Sequence, residues 1–340
     1  MKSKTLEIVG GGIAGLSLGV GLRKAGVRVV LREAGSYPRH RLCGEFVNGV
    51  SASTLVCLGL EELFEDAQVH QEMSWWLHDR QIAQVEMRRP VSALSRWEMD
   101  QRMSLRFQQW GGELFSRERV KNDAVEGRIW TAGRKLERDS NWLGLKAHFL
   151  NLETCSGLEM HLGEQGYLGL TPVENGRVNV CGLFELRDKM PGKGSEKLFS
   201  YLGACGLSEL ADRLRKAKVD EASFTGISGI SFGQQHQDSD LLALGDAERM
   251  IPPFTGNGMS MAFEAAECAL NPLVEYAQNE CSWSETRRTI QERLQIRFRR
   301  RIALAKKLHP LILNPSTQEV LAALAKPGWL PFSFLTRLLT

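Results

Sequence analysis

Three glycines near the beginning of the chain, Gly10, Gly12 and Gly15, have the spacing G-x-G-x-x-G. Gly10 permits a sharp turn from a strand into a helix, Gly12 lets backbone N–H groups approach a diphosphate, and Gly15 lets the helix lie near the strand. The first N–H groups of the helix carry partial positive charge that suits a phosphate. An acid, Glu33, stands eighteen residues after Gly15 and can accept hydrogen bonds from ribose hydroxyls. The pattern predicts a dinucleotide site.

The residues on either side of these glycines predict the elements that must hold them. Residues 5–9 are apolar and β-branched, as expected of a short buried parallel strand. Ile13 and Ala14 begin an apolar run among small residues, which predicts a helix packed tightly on a sheet and ending at Gly26. A second strand follows and ends at Glu33. This order favours the dinucleotide site over an ordinary glycine-rich turn.

The loop after Glu33 is polar and turn-rich over residues 34–47 and should run beside the bound dinucleotide. A basic side chain in this loop, Arg41, can pair with the diphosphate. Cys43 is either a small packing residue near the ligand or a reactive thiol. We favour packing, because no partner for the thiol stands next to it in the sequence.

A second glycine-rich turn lies more than two hundred residues further on. An apolar run at 241–244, predicted to be a strand, leads into it, and a predicted helix follows it. The turn contains Gly245, Asp246, Pro253, Gly256, Asn257, Gly258 and Met259. Its helix N-terminus can stabilise a second centre of negative charge. Asp246 suits a ligand hydroxyl, because a carboxylate cannot face a phosphate without a bridge.

Between the two turns, alternating sequences predict an antiparallel sheet with one covered face. Its four strands are predicted at residues 142–150, 157–162, 166–171 and 177–184. Lys146 and His148 share a parity in the first strand, so both side chains point to one face. Tyr167 lies in the third strand. This sheet is the candidate substrate-binding region.

The remaining segments predict a mixture of helices and short strands. Helices are predicted at 50–66, 96–110, 194–204 and 207–216, a hairpin at 73–88, strands at 113–117 and 129–133, and a strand pair at 219–232.

Composition is that of an ordinary globular protein, with 43% hydrophobic and 24% charged residues among 340. A net charge of +3 is too small to indicate nucleic acid as a partner. Seven cysteines without a C-x-x-C motif fit a reduced, cytoplasmic protein and predict neither a disulfide framework nor a metal site. No run of roughly 18 apolar residues predicts a transmembrane helix, and no signal peptide is evident.

The part of the chain after residue 281 is predicted to be helical and is rich in arginine and lysine. A solvated basic helix packed on its own domain is the favoured interpretation. Peripheral contact with anionic lipid is the alternative.

The two glycine turns, over residues 5–277, resemble those of the flavoprotein group that includes p-hydroxybenzoate hydroxylase, the flavin-dependent halogenases and the geranylgeranyl reductases. In this group the first turn holds the adenosine diphosphate of FAD, and the second holds the ribityl chain and the isoalloxazine ring. Arg96, which opens a predicted helix, matches a family Arg or Gln that contacts FAD. The resemblance implies FAD as the cofactor. The residues expected to bind it are Gly10, Gly12, Ile13, Ala14, Gly15, Glu33, Arg41, Cys43, Arg96, Ala132, Gly245, Asp246, Pro253, Gly256, Asn257, Gly258 and Met259.

The resemblance also implies an α/β fold. It consists of a Rossmann-like FAD-binding domain of the glutathione reductase type, interleaved with an antiparallel-sheet substrate domain and followed by a C-terminal helical segment. The expected boundaries are 1–72, 90–141 and 236–280 for the FAD-binding domain, 73–89 and 142–235 for the substrate domain, and 281–340 for the C-terminal segment.

Two reactions fit this resemblance, and we expect an FAD-dependent monooxygenase acting on a small aromatic or polyketide-like compound. The alternative is a flavin ene reductase acting on an isoprenoid or other apolar substrate, because residues 41–45 are similar to the Cys-Gly segment of geranylgeranyl reductases. Residues 166–172 are also similar to their Tyr-x-Trp-x-Phe-Pro segment, with Gly169 in place of the tryptophan. Halogenation is disfavoured because the chain has no Trp-x-Trp. A flavin-binding protein without catalysis is a third interpretation.

For the proton donor or substrate contact we expect His148, Lys146 and Tyr167. The hydroxylases of the group carry an Asp-Gly that serves FAD and NAD(P)H, and at that place this chain reads Thr131-Ala132-Gly133-Arg134. With no second G-x-G-x-x-G either, the electron donor is expected to be NAD(P)H bound transiently or a separate reductase.

Overall fold

The structure, a computed structural model, describes residues 3–325. The predicted C-terminal segment 281–340 therefore lies partly outside the described residues. Within them the strands are β1 Thr5–Val9, β2 Arg28–Glu33, β3 Phe46–Val47, β4 Gln68–Leu77, β5 Arg80–Ala93, β6 Glu113–Ser116, β7 Arg128–Trp130, β8 Trp142–Leu150, β9 Leu158–Gly163, β10 Gly166–Pro172, β11 Arg177–Glu185, β12 Lys218–Ser228, β13 Gly233–Gln234 and β14 Arg249–Met250. The helices are α1 Ile13–Lys24, α2 Ala52–Leu58, α3 Arg96–Gln109, α4 Ser195–Ala204, α5 Ser208–Arg215, α6 Gly258–Ala277, α7 Trp283–Leu313 and α8 Pro315–Ala325.

A four-stranded parallel sheet, in the order β6-β2-β1-β7, holds the first glycine turn. The central strand β1 is apolar, and Leu6 and Ile8 are fully buried in it. Helix α1 packs between this sheet, α3 and α6, and its Leu16 and Leu18 are also fully buried. The turn from β1 into α1 therefore opens at the carboxyl edge of the sheet, where such folds bind ligands.

An eight-stranded sheet, in the order β12-β8-β11-β10-β9-β4-β5-β3, forms the second layer. Its pairs are antiparallel except for β4 with β9. Strand alternation sorts the side chains of β8: Leu145 and Phe149 pack with α4 and α5, whereas Lys146 and His148 point to the opposite face. That opposite face meets the loop that follows β2. The predicted α/β fold, with its Rossmann-like region and antiparallel sheet, is confirmed.

The helix predicted at 50–66 covers only Ala52–Leu58, and two predictions of strands were wrong. The strand pair expected at 219–232 is one long strand, β12, which pairs with β8 and carries a bulge between Asp220 and Thr225. The run at 241–244 is not a strand but makes a single parallel bridge, from Ala243 to Trp130, before a 3₁₀ turn at Gly245–Ala247. In both cases the pairing partner, rather than the local apolar pattern, decided the structure.

Helix α7 packs along α6 and begins with a capping box between Ser282 and Glu285. Arg297 and Arg301 bind the buried Glu264 of α6, with nitrogen–oxygen distances of 2.6 and 2.8 Å. These pairs hold the basic helix against its own domain. Over residues 3–325, no helix is both long enough and apolar enough to cross a bilayer.

Candidate functional site

One elongated cavity of about 1030 Å³ joins the two glycine turns. It runs along the carboxyl edge of the parallel sheet and reaches β12 at the edge of the second sheet. The predicted cofactor-binding residues in its wall are Gly10, Gly12, Ile13, Ala14, Glu33, Arg41, Cys43, Arg96, Ala132, Asp246, Pro253, Gly256, Gly258 and Met259. Two turns more than two hundred residues apart thus form a single site.

Three of the predicted cofactor-binding residues are not in this wall. Gly15 does not line the cavity. A Cβ at this position would stand 2.0 Å from the carbonyl oxygen of Gly10. Gly245 lines a separate cavity of about 510 Å³ on the α7 side of the second turn. Asn257 is buried at the start of α6. These residues shape the turns rather than face the main cavity.

The glycines of the first turn differ in what surrounds them. Gly10 has a φ of 106°, and a Cβ on it would lie 2.4 Å from Cα of Ala132, so only glycine fits there. At Gly12 a Cβ would meet nothing within 4 Å, and the same is true of Gly258 at the start of α6. The chain thus leaves open space beside the first N–H groups of two helices, as an anionic ligand requires.

Glu33 is nearly buried and lies directly beside the first turn. Its carboxylate accepts hydrogen bonds from the N–H groups of Gly11 and Gly35, both at 2.7 Å, and from Arg39 at 2.9 Å. Burial raises the pKa of Glu33, but Arg41, Arg39 and the two N–H groups outweigh it and hold the pKa below its usual range. The acid is therefore ionised at neutral pH.

Two arginines share one buried acid, Asp100, beside the first turn. Arg96 binds Asp100 with two nitrogens, at 2.9 and 2.8 Å, and Arg41 donates to it from Nε at 2.8 Å. Arg41 also reaches the carbonyl oxygen of Gly11 at 3.1 Å. With Arg39 and Glu33 included, three guanidinium groups face two carboxylates, so net positive charge is left at the cavity wall, which favours a diphosphate. The sequence analysis missed Asp100, which stands four residues after Arg96 on α3.

The second turn meets the loop after β2 at the far part of the cavity. Gly256 has a φ of 65°, and a Cβ on it would lie 2.5 Å from the ring of Phe46. The Sγ of Cys43 lies 3.4 Å from the Sδ of Met259. Burial raises the pKa of the Cys43 thiol, which favours its neutral form. Asp246 lies near Arg134, with 3.9 Å between Oδ2 and Nη1.

The structure brings Lys146 and His148 together on a residue that the sequence analysis did not assign to the site, Glu45. Lys146 Nζ lies 2.8 Å from Oε1 of Glu45, and His148 Nε2 lies 2.6 Å from Oε2. All three side chains are 0–1% exposed. Burial raises the pKa of Glu45, but the charge of Lys146 and the hydrogen bond to His148 outweigh it and lower the pKa to about 2.

Tyr167, the third predicted catalytic residue, lies on the same face of the sheet but in a different environment. Its hydroxyl accepts a hydrogen bond from the N–H of Phe254 at 3.2 Å, and its ring contacts Phe254 and His309. Burial raises the pKa of the Tyr167 hydroxyl well above its usual value. Tyr167 therefore stands beside the second glycine turn rather than in the Glu45 cluster.

A family match covers the part of the chain that contains the first glycine turn. Residues 2–151 match the family described as "FAD binding domain". This chain carries an FAD-binding domain. The cavity fits the group: it spans both turns, leaves open space at Gly12 and Gly258, and places two arginines at the first turn. No curated protein matches the sequence.

Comparison of the FAD-binding chain with solved structures confirms its fold. The p-nitrophenol 4-monooxygenase PnpA from Pseudomonas putida DLL-E4 superimposes with a TM-score of 0.76 at 16% identity, over 100% of this chain and 98% of that one. PqsL of P. aeruginosa, in complex with 2-aminobenzoylacetate, gives 0.70 at 17% identity over 93% and 98%. The flavin-dependent brominase Bmp2 gives 0.72 at 16% over 96% and 93%. The chain thus has the p-hydroxybenzoate hydroxylase-type fold that its glycine turns predicted.

Proposed function

We propose that this protein is an FAD-dependent monooxygenase that acts on a small aromatic or polyketide-like compound. The observation that carries the proposal is the wall of the FAD cavity around the second glycine turn. That wall includes the apolar side chains of Leu42, Phe46, Ile227, Met250 and Pro253. An aromatic substrate would find there an apolar surface next to the helix N-terminus at Gly258.

The comparisons favour oxygen transfer over double-bond reduction. PnpA is named a monooxygenase, and PqsL is called a probable FAD-dependent monooxygenase and was solved with an aromatic compound. A brominase shares the fold equally well, but the absence of Trp-x-Trp in this chain speaks against halogenation. The ene-reductase alternative rests on the similarity of residues 41–45 and 166–172 to segments of geranylgeranyl reductases.

Each group of residues in the cavity has a proposed role. When bound, FAD would supply the activation of O₂ and the transfer of one oxygen atom. Arg41 and Arg96 would hold the diphosphate, and Glu33 would orient the adenosine end. The N–H groups at Gly258 and Met259 would stabilise negative charge on the flavin ring.

The proposed proton donors remain Lys146, His148 and Tyr167. Glu45 would orient the first two, since it hydrogen-bonds both side chains. Tyr167 hydrogen-bonds to the backbone of Phe254 in the second turn, and it is the proposed contact with substrate. The predicted division into FAD-binding, substrate and C-terminal domains is retained as part of the proposal.

Oxygen incorporation tests the proposal directly. The FAD-loaded protein is reduced anaerobically and mixed with ¹⁸O₂ and either p-nitrophenol or 2-aminobenzoylacetate. The masses of the products are then measured by mass spectrometry. A product that carries one ¹⁸O atom supports the proposal. Re-oxidation with no labelled product, together with anaerobic reduction of a polyprenyl double bond, would favour the ene reductase instead.

The proposed electron donor is NAD(P)H or a separate reductase. Direct oxidation of NADH or NADPH by the FAD-loaded protein would indicate the first, and its absence the second. Peripheral contact with lipid stays a prediction. Three of the arginines in α7 that would make it are held by acids of this chain, because Arg297 and Arg301 bind Glu264 and Arg287 binds Asp240. Binding to anionic vesicles would test it.

A further inference from the structure

Two histidines and one aspartate meet where the loop after β2 lies on the eight-stranded sheet. His40 comes from the loop, His148 from β8 and Asp220 from β12. One ligand atom of each lies within 4.8 Å of the other two. The imidazole rings of His40 and His148 stand edge to face, with centroids 5.1 Å apart. The sequence predicted no metal site because its three residues are scattered over 181 positions.

His148 is fixed in the orientation that a metal ligand needs. Its Nε2 lies 2.6 Å from the carboxylate of Glu45, so Nε2–H donates and the lone pair is left on Nδ1. That Nδ1 is buried and has no hydrogen-bond partner among the described residues, and the same holds for Nδ1 of His40. A carboxylate that holds the far nitrogen of a histidine is the usual outer partner of a metal-bound imidazole.

The bulge in β12 places Asp220 beside His148. Asp220 pairs in register with His148, and the bulge that follows is tied back by Ser223. Ser223 Oγ accepts the N–H of His148 at 2.7 Å and donates to the carbonyl oxygen of Asp220 at 2.6 Å. Bulges commonly re-aim a side chain in this way.

The local charges are compatible with a cation. Lys146 lies on the same face of β8, and its charge is matched by Glu45 at 2.8 Å. Asp220 therefore remains as the negative charge facing the two imidazoles. Ligand bonds of about 2.1 Å place tetrahedral donors roughly 3.4 Å apart. His40 and Asp220, both only partly buried, can close the remaining distance by side-chain rotation.

We propose that His40, His148 and Asp220 form a binding site for one divalent transition-metal ion of the zinc class. Imidazole and carboxylate ligands suit such an ion, and three protein ligands leave a fourth position for water. The bound ion would join the loop that lines the FAD cavity to the sheet. The site does not depend on the proposed monooxygenase activity. With the ion bound, His148 is a metal ligand, which leaves Lys146 and Tyr167 as the proposed proton donors.

Calorimetric titration of the FAD-loaded full chain with ZnCl₂, after treatment with EDTA and dialysis, tests the site. We expect one ion per chain, a raised Tm with zinc, and zinc in the protein by elemental analysis. His40→Gln and Asp220→Asn should each weaken zinc binding by more than ~10-fold, since each removes a direct ligand. Both side chains are partly exposed, so these variants should fold even if His148→Gln does not.

His236→Gln serves as the matched control, because His236 pairs with Glu248 and is not a member of the cluster. It should bind zinc as the wild type does. The proposal is overturned if the wild type binds no zinc, or if His40→Gln and Asp220→Asn bind it with unchanged affinity. The FAD content of each variant is read from its visible spectrum, so loss of zinc binding is separated from loss of the flavin site.

Discussion

Glu45 and Lys146, 101 residues apart in the chain, form an ion pair of 2.8 Å in which both side chains are completely buried. The pair joins the loop that lines the FAD cavity to the centre of the eight-stranded sheet. His148 binds the second oxygen of Glu45, and the backbone N–H of Arg96 also donates to Oε1, at 2.9 Å. One carboxylate thus connects β8, the loop after β2 and the start of α3.

Removing the charge of Glu45 should strongly destabilise the protein. Glu45→Gln keeps the shape of the side chain but leaves Lys146 buried without a counter-ion, which typically costs about 3–5 kcal/mol. Urea unfolding at neutral pH measures the free energy of unfolding. Asp212→Asn, which breaks the exposed pair with Arg215, should change it by less than ~1 kcal/mol. A loss below ~1 kcal/mol in Glu45→Gln would show that the pair does not hold the two layers together.

Gly10 and Gly12 should respond differently to the same change. Gly12→Ala should fold normally, because its Cβ enters open space, but should weaken FAD binding by more than ~10-fold, or about 1.4 kcal/mol. Gly10→Ala should lower the Tm of the FAD-free protein, because its Cβ would clash with the backbone of Ala132 at a φ of 106°. Fluorescence titration with FAD and thermal melts measure the two effects. Equal FAD affinity in Gly12→Ala and wild type would contradict a diphosphate site at this turn.

His309 should make stability depend on pH. It is 7% exposed, and aromatic rings surround it, with Phe254 stacked at 5.8 Å and Phe232 at 5.1 Å. Burial lowers the pKa of His309 to about 4, whereas in the unfolded chain it is near 6.5. Between these values the unfolded chain binds the extra proton, so stability is lost as the pH falls from 6.5 towards 4, by up to about 3 kcal/mol.

His309→Phe should flatten this part of the pH profile, since phenylalanine fills a similar volume without titrating. The measurement is the free energy of unfolding of both proteins at several pH values between 7.5 and 4. The difference between the two profiles isolates His309 from the carboxylates that titrate in both. Parallel profiles would show that His309 is not buried in its neutral form.

Tyr167→Phe tests the proposed contact with substrate. The hydroxyl accepts one hydrogen bond, from the N–H of Phe254, so its loss should cost about 1 kcal/mol of stability. If the hydroxyl supplies a proton, kcat should fall by about 10²-fold or more, with the Kd for FAD unchanged. Cys181→Ala, at a partly buried position of the same sheet, is the control for packing effects. A kcat equal to that of the control would show that the Tyr167 hydroxyl has only a structural role.

Much of the cofactor site could be predicted because it consists of local patterns. The spacing of Gly10, Gly12 and Gly15 fixes a turn whose geometry belongs to a few adjacent residues, and Glu33 ends the neighbouring strand. Strand alternation was enough to place Lys146 and His148 on one face. The match of residues 2–151 to an FAD-binding domain confirms FAD as the cofactor.

The residues that sequence reasoning missed act through partners far away in the chain. Glu45 follows Cys43-Gly44 in a loop and has a φ of 60°, and nothing in its neighbourhood shows that two bases of β8 will cover its carboxylate. In the sequence, Asp100 cannot be told from any other acidic residue of a helix. Only the fold shows that Arg41 of the loop binds it.

The sequence by itself determined the two turns and the faces of the strands, because glycine backbone freedom and side-chain alternation operate over a few residues. The resemblance of the two turns to a flavoprotein group implied FAD. The tertiary structure alone decided that β12 is one bulged strand, that 241–244 pairs by a single bridge, and that His40, His148 and Asp220 meet. Those outcomes depend on which groups from distant parts of the chain come together when the two sheets pack. A buried charge or N–H group needs a partner, and that partner is often far away in the sequence.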